Sequence, residues 1–224
     1  MKKTRRRLFS PCVGSKASVK KYPIEDGRNY DAISEPFAHA GPVAIENLLC
    51  GNSDKIFVSD ADPSVQAIWR TWIDEEKRIE CNKWISLYKQ QIIRHTKITK
   101  RRLLFLNYIY LLIQFSNPKH AFLFYDLMGK KIIKAGIKDA KQVYFNRIKK
   151  LFHDGVDGLL DVAQFAAISI ILRRIIFGAV VRCNTKGKLN ITVSWDKLKV
   201  FHRWNYEWHD IDPDQKVDFS TDWL

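Results

Sequence analysis

A chain of 224 residues with 46% hydrophobic and 12% aromatic content can bury a core, which excludes disorder as its main state and bounds it at one domain with room for a subdomain. The formal net charge is +14, from 38 Lys and Arg against 24 Asp and Glu, and such a balance favours a polyanionic partner, nucleic acid first. An acidic membrane surface or simple solubility would use the same charge.

The start, Met1 to Arg7, is basic but lacks the apolar stretch and small-residue cleavage site of a secretory signal, so an intracellular, cytoplasmic protein is expected. From Tyr30 to Leu49 the residues read as a short strand, a turn holding Pro36 and Gly41, and a helix carrying Val43, Ile45, Leu48 and Leu49. Gly51 and Asn52 supply a helix stop, and Lys55 to Asp60 is a compact second strand ending in an acid. Val65, Ile68, Trp69, Trp72 and Ile73 then fall at helical spacing. The first 75 or so residues thus predict βαβα, the opening of a parallel α/β sheet.

From Asp74 to about Lys150 the pattern turns helical and densely basic, as an inserted subdomain would. Lys89, Arg94, Lys97, Lys100, Arg101 and Arg102 crowd one stretch. A second runs from Lys130 through Lys134, Lys141 and Arg147 to Lys149 and Lys150. Each is either a solvated helix face or a phosphate-tracking one. The longest apolar run, Leu103 to Phe115, is 13 residues and includes Asn107, short of the roughly 20 that span a bilayer. Val162 to Val181 is interrupted by Arg173 and Arg174. Both runs read as buried helices, and no membrane association is expected.

Two short strands are predicted over 178–184 and 188–193, around a turn at Thr185-Lys186-Gly187, which makes a hairpin. Asp62-Pro63-Ser64 and Asp212-Pro213-Asp214 read as turns. The tail from His202 to Leu224 is aromatic and acidic, stops without a convincing helix or strand terminus, and is expected to end in mid-architecture. Cys12, Cys50, Cys81 and Cys183 form no Cys-x-x-Cys pair, and no histidine grouping completes a zinc pattern. They are expected reduced and mostly structural, with no metal bound.

Four of these pieces, in order, resemble the Dam-like DNA adenine methyltransferases. Val13-Gly14-Ser15-Lys16 resembles the family's opening Gly-Ser-Lys element. Glu35-Pro36-Phe37-Ala38-His39-Ala40-Gly41 resembles its Glu-Pro-Phe-x-Gly-x-Gly loop, where backbone without obstructive side chains approaches the cofactor. His39 stands where the first glycine of that loop belongs, so its imidazole should crowd the cofactor or demand a different backbone path. Asp60 matches the acid that accepts from the cofactor's ribose hydroxyls. Arg182-Cys183-Asn184-Thr185-Lys186-Gly187-Lys188-Leu189-Asn190 resembles the recognition hairpin Arg-x-Asn-x-x-Gly-x-Phe-Asn, with Leu189 for the aromatic. The helix from Phe165 to Phe177 fits the segment before it.

The resemblance implies an α/β fold: an incomplete Rossmann-like sheet of the S-adenosylmethionine-dependent methyltransferases, with an inserted, mainly helical target-recognition subdomain and its hairpin. Residues 1–75 would form the first part of the α/β domain and 76–200 the recognition subdomain, with the hairpin at 178–193. Residues 201–224 would be a return segment. S-adenosylmethionine would lie by Lys16, Glu35, Phe37, Gly41 and Asp60. Double-stranded DNA would meet Arg182, Asn184, Lys186, Lys188 and Asn190, by phosphate and base-edge contacts or, for the asparagines, by pinning the turn.

The family's catalytic Asp-Pro-Pro-Tyr motif, which holds a flipped adenine, is absent, although Val217-Asp218-Phe219 resembles the segment that introduces it. No catalytic residue is therefore assigned. The expectation is a split enzyme whose second subunit carries that motif and docks on the sheet edge. A catalytically inactive DNA-binding homologue or regulatory subunit, its cofactor site closed by His39, is the alternative. A small basic RNA-binding α/β protein sharing only turn residues is a third reading.

Overall fold

The computed structural model describes residues 29–50, 53–116, 142, 146–176, 178, 181–185, 188–208 and 216–219. The opening βαβ unit lies where the sequence places it. Strand β1 (Ile33–Pro36) leads through a tight loop to helix α1 (Pro42–Cys50), and strand β2 (Lys55–Ser59) returns parallel to β1. The register pairs Ile33 with Ile56 and Pro36 with Ser59. Proline donates no ladder hydrogen bond, which suits Pro36 to a strand end. Ile56, Val58 and Ser59 are all buried, as expected of the middle strand in a parallel sheet.

A third strand, β3 (Lys216–Phe219), pairs parallel with the other side of β2, giving the order β1-β2-β3. The tail thus returns to the sheet as a strand. Four residues carry too little alternation to announce themselves; hydrogen bonding to β2 makes them a strand. The Asp212-Pro213-Asp214 turn lies outside the described residues.

Helix α2 (Pro63–Trp72) follows β2. Asp62-Pro63-Ser64, expected as a turn, is in fact this helix's N-terminus: Asp62 Oδ1 accepts from the Ser64 amide at 2.8 Å and from its hydroxyl at 2.6 Å, with Pro63 at the first helical position. Trp69 and Trp72 are fully buried and meet edge to face, with ring centroids 5.3 Å apart.

Helix α3 (Glu75–Ser116) has 42 residues and is about 60 Å long. Asp74 caps it through the Lys77 amide and pairs with the Lys77 ammonium, which holds the Asp74 carboxyl below the usual carboxylate range. Cys81, Ile85, Tyr88 and Ile92 give α3 its buried stripe. Further along, Leu104 and Phe105 are 67% and 63% exposed, so the expectation of a buried helix there fails at these two residues. Their stretch extends beyond the part of α3 that the buried stripe covers.

A helical stretch over 146–156, here α4, buries Ile148 and Phe152. Helix α5 (Val162–Ile175), capped by Asp161, packs against both α2 and α3 and carries the largest share of the core. Arg173 does not interrupt it. The guanidinium is buried, 2.8 Å from Asp62 Oδ2 and 2.7 Å from the Ser64 hydroxyl, and bolts α5 to the first turn of α2. A buried charge is tolerated when it is paired and hydrogen-bonded in this way.

Among the described residues, the hairpin expected at 178–193 consists of two nested antiparallel bridges, Ile176 with Val193 and Cys183 with Leu189. Helix α6 (Trp195–Val200) and a 3-10 turn at Phe201–Arg203 follow. The chain then runs extended along α3. Trp204, Tyr206 and Trp208 alternate with polar residues and form an aromatic ladder with Phe201, tied down by Lys89 Nζ donating to Asn205 and Trp208 Nε1 donating to Asn82. Burial, with Cys81 beside it, pushes the Tyr206 hydroxyl well above its ordinary range. Among the described residues no helix is long and apolar enough to cross a membrane.

Candidate functional site

The loop between β1 and α1 is built from left-handed backbone. Phe37, His39 and Gly41 have φ of 58°, 48° and 53°. Only glycine takes that region without cost, and a side chain there costs about 1–2 kcal/mol. Two strained non-glycine residues in one short loop need strong holding. Ala38 N donates to Ser59 O at 2.9 Å, and Gly41 N to Ala38 O at 2.7 Å. Trp69 Nε1 donates to His39 O at 3.0 Å. Gly41 lies so close to the Trp69 ring that an added Cβ would stand 2.0 Å from it.

Asp60 completes the anchoring. Its Oδ2 accepts from the His39 amide at 2.9 Å and its Oδ1 from the Asp62 amide at 2.9 Å. The His39 ring sits with Nδ1 3.5 Å from the same Oδ2, half exposed, while Asp60 itself is buried. The loop and the strand-ending acid, 21 residues apart in sequence, are thus brought together at the carboxyl edge of the sheet. His39 takes the left-handed backbone that a glycine would take. Its imidazole lies over the carboxylate.

Glu35 plays a different part. Its side chain is buried, and Oε2 accepts from Ala44 N at 2.7 Å, placing a carboxylate on the open amides of the α1 N-terminus. In this fold Glu35 holds the start of α1 through Oε2. Phe37 is 60% exposed, an aromatic ring held in solvent by a strained backbone. Lys16 lies outside the described residues.

In the hairpin, partial burial pushes the Cys183 thiol up and the Asp62 charge adds to it. Asn184 N donates to Lys188 O and Asn190 N to Arg182 O, both at 2.8 Å. Asn184 Oδ1 also accepts from Lys188 N at 3.0 Å, so of the two roles open to it, turn-pinning is the one the geometry displays. Arg182, Lys188 and Asn190 are exposed, and Leu189 is buried. Lys186 lies outside the described residues.

Sequence reasoning missed Arg173, read only as a break in an apolar run, and His153, whose Nε2 accepts from Leu189 N at 3.4 Å. Neither carries a local signal, because each acts on a residue more than 30 positions away. No protein-family model matches the chain, and no curated protein matches it.

Proposed function

We propose that this chain is the cofactor- and DNA-binding part of a site-specific DNA adenine methyltransferase whose Asp-Pro-Pro-Tyr motif is supplied from outside these 224 residues. One observation carries the reading: the loop after β1 and the acid after β2 meet at the carboxyl edge of a parallel sheet, where open α/β folds bind nucleotides. Strand order adds support. The order β1-β2-β3 corresponds to one half of a doubly wound sheet, whose next strand pairs with the far side of β1. Among the described residues β1 pairs with β2 alone, so a partner strand has an edge to join.

The residues fit S-adenosylmethionine on one condition. Phe37 offers an exposed ring to an adenine base. Asp60 retains acceptor capacity, since a carboxylate has about four lone-pair sites and two are taken by amides. The His39 ring must swing off Asp60, which costs a single 3.5 Å contact of a half-exposed side chain. When bound, the cofactor supplies an electrophilic methyl group. This chain's part is to hold it with Phe37, Gly41 and Asp60 and to grip duplex DNA with Arg182, Lys188 and Asn190.

Calorimetric titration of S-adenosylmethionine tests this, using the chain alone and with any co-purifying protein. Glycine keeps the left-handed backbone at position 39, so His39→Gly is expected to tighten binding about three- to tenfold, the removal of about 1 kcal/mol of competing contact. No heat from either form, with DNA binding intact, would sink the enzyme reading. It would leave the inactive DNA-binding homologue, which the burial of Asp60 beneath His39 favours.

The hairpin has its own test. Arg182→Ala is expected to weaken duplex binding, by about 1–3 kcal/mol with relaxed sequence preference if it reads a base, or with a salt slope reduced by about 1 if it contacts phosphate. A variant that binds as tightly as the wild type would remove Arg182 from the interface.

A further inference from the structure

We propose that the DNA-binding surface extends beyond the hairpin onto α4, that Lys150 is its phosphate contact there, and that His153 is the residue that fixes the hairpin against this helix. The inference rests on the DNA-binding part of the reading above. It adds a second structural element and a positioning residue to it.

The argument begins with how α4 is oriented. Ile148 and Phe152 are buried; Phe152 stacks edge-on against Phe165 of α5, and Gly155 lies against the same ring. These residues define the face of α4 turned to the core. His153 lies about 100° round the helix from Phe152, and its Nε2 accepts from the Leu189 amide. The flank centred on His153 therefore faces the hairpin. Asn146, Lys149 and Lys150 fall on that flank, one to two turns earlier. Lys150 and Asn146 are exposed and Lys149 is half-buried.

Leu189 is the hairpin's buried residue, and its neighbours Lys188 and Asn190 are exposed. Where a strand-like segment buries one residue, those on either side project the opposite way. Lys188 and Arg182 of the hairpin and Lys150 of α4 thus flank one junction, closed by the His153 hydrogen bond. Asp157 falls on the same flank beyond His153, so the cationic part is the first two turns of α4. A chain of net charge +14 supplies the long-range attraction that brings a duplex to this surface.

The experiment measures binding of a fluorescent duplex of about 30 base pairs to the full chain across a salt series. Each phosphate contact contributes about 0.9 to the slope of log K against log salt. Lys150→Ala is expected to lower that slope by about 1 and to weaken binding about five- to tenfold near 0.1 M salt. Lys55→Ala removes the same charge from an exposed residue at the opposite, amino end of β2 and is expected to leave the slope unchanged. For His153 the readout is rescue: His153→Leu, which has no acceptor for the Leu189 amide, loses affinity, whereas His153→Gln, whose carbonyl can accept, regains most of it.

An unchanged slope in Lys150→Ala overturns the proposal while leaving hairpin-mediated DNA binding standing. Equal slope losses in Lys150→Ala and Lys55→Ala overturn it as well, by showing a net-charge effect without a local contact. No binding by the wild-type chain overturns both this inference and the DNA-binding reading. Lys150 is an exposed surface residue, so its variant keeps the test decisive even if the His153 variants fold poorly.

Discussion

Replacing Asp62 by alanine is expected to destabilise the fold by about 3–5 kcal/mol, the largest loss of any single polar substitution considered for this chain. Two effects add. The variant strips the N-cap of α2, leaving the Ser64 amide and hydroxyl without their acceptor. It also takes the Asp62 carboxylate away from the Arg173 guanidinium, which is 6% exposed at its side chain. Two other partners of Arg173, the Ser64 hydroxyl and the Ser169 carbonyl, are neutral and do not replace the lost carboxylate. Because Asp62 is itself about a third exposed, water softens the loss and keeps it from exceeding that range.

Two further variants separate the causes. Asp62→Asn removes the charge and keeps one oxygen, enough for the cap on Oδ1 or for Arg173 on Oδ2 but not for both, and should cost about 1–3 kcal/mol, less than Asp62→Ala. Combining Asp62→Ala with Arg173→Met removes the charge as well, and should be less destabilised than Asp62→Ala alone. Urea unfolding midpoints with unchanged slope provide the measure. If Asp62→Ala unfolds within 1 kcal/mol of the wild type, roughly the worth of the cap alone, then the pair contributes nothing to the joint between α2 and α5.

Gly41→Ala carries the second large effect, about 2–5 kcal/mol. At φ 53° an alanine pays for left-handed backbone, and its Cβ would stand 2.0 and 2.5 Å from two atoms of the buried Trp69 ring. Trp69 cannot yield cheaply, since it is fully buried and packed against Trp72. Gly158→Ala is the control. Its φ is 73° and nothing lies within 4 Å of the added Cβ, so it should show the backbone cost alone, about 1–2 kcal/mol. The difference between the two isolates the Trp69 clash. Equal losses would mean that the loop slides away from Trp69, in which case the Trp69 Nε1 bond to the His39 carbonyl is not what holds the site.

Much of the candidate site could be read directly from the residues because its signals are local. A strand, a loop with Pro36 and Gly41, a helix, and a second strand ended by Asp60 all express themselves within windows of ten or so residues. The hairpin turn at Asn184 to Lys188 is local in the same sense. The structure then assigned these residues unequal parts. Glu35 turned inward to cap α1, and Phe37 stayed in solvent. Asp60, expected to accept from the cofactor's ribose hydroxyls, anchors the loop through the His39 amide.

Local pattern by itself determined the parallel βαβ opening, the helical character of residues 75–116 and 146–156, and the placement of a basic hairpin further on. Hydrophobic period and turn chemistry act over a few residues, and nothing distant overrides them there. Tertiary structure alone decided that Lys216–Phe219 is a strand, that Arg173 belongs in the core, that His39 covers Asp60, and that His153 ties α4 to the hairpin. Each of these depends on a partner between 21 and 161 positions away. A hydrogen bond or ion pair across such a span forms only once the intervening helices have packed, so no window of neighbouring residues contains its cause.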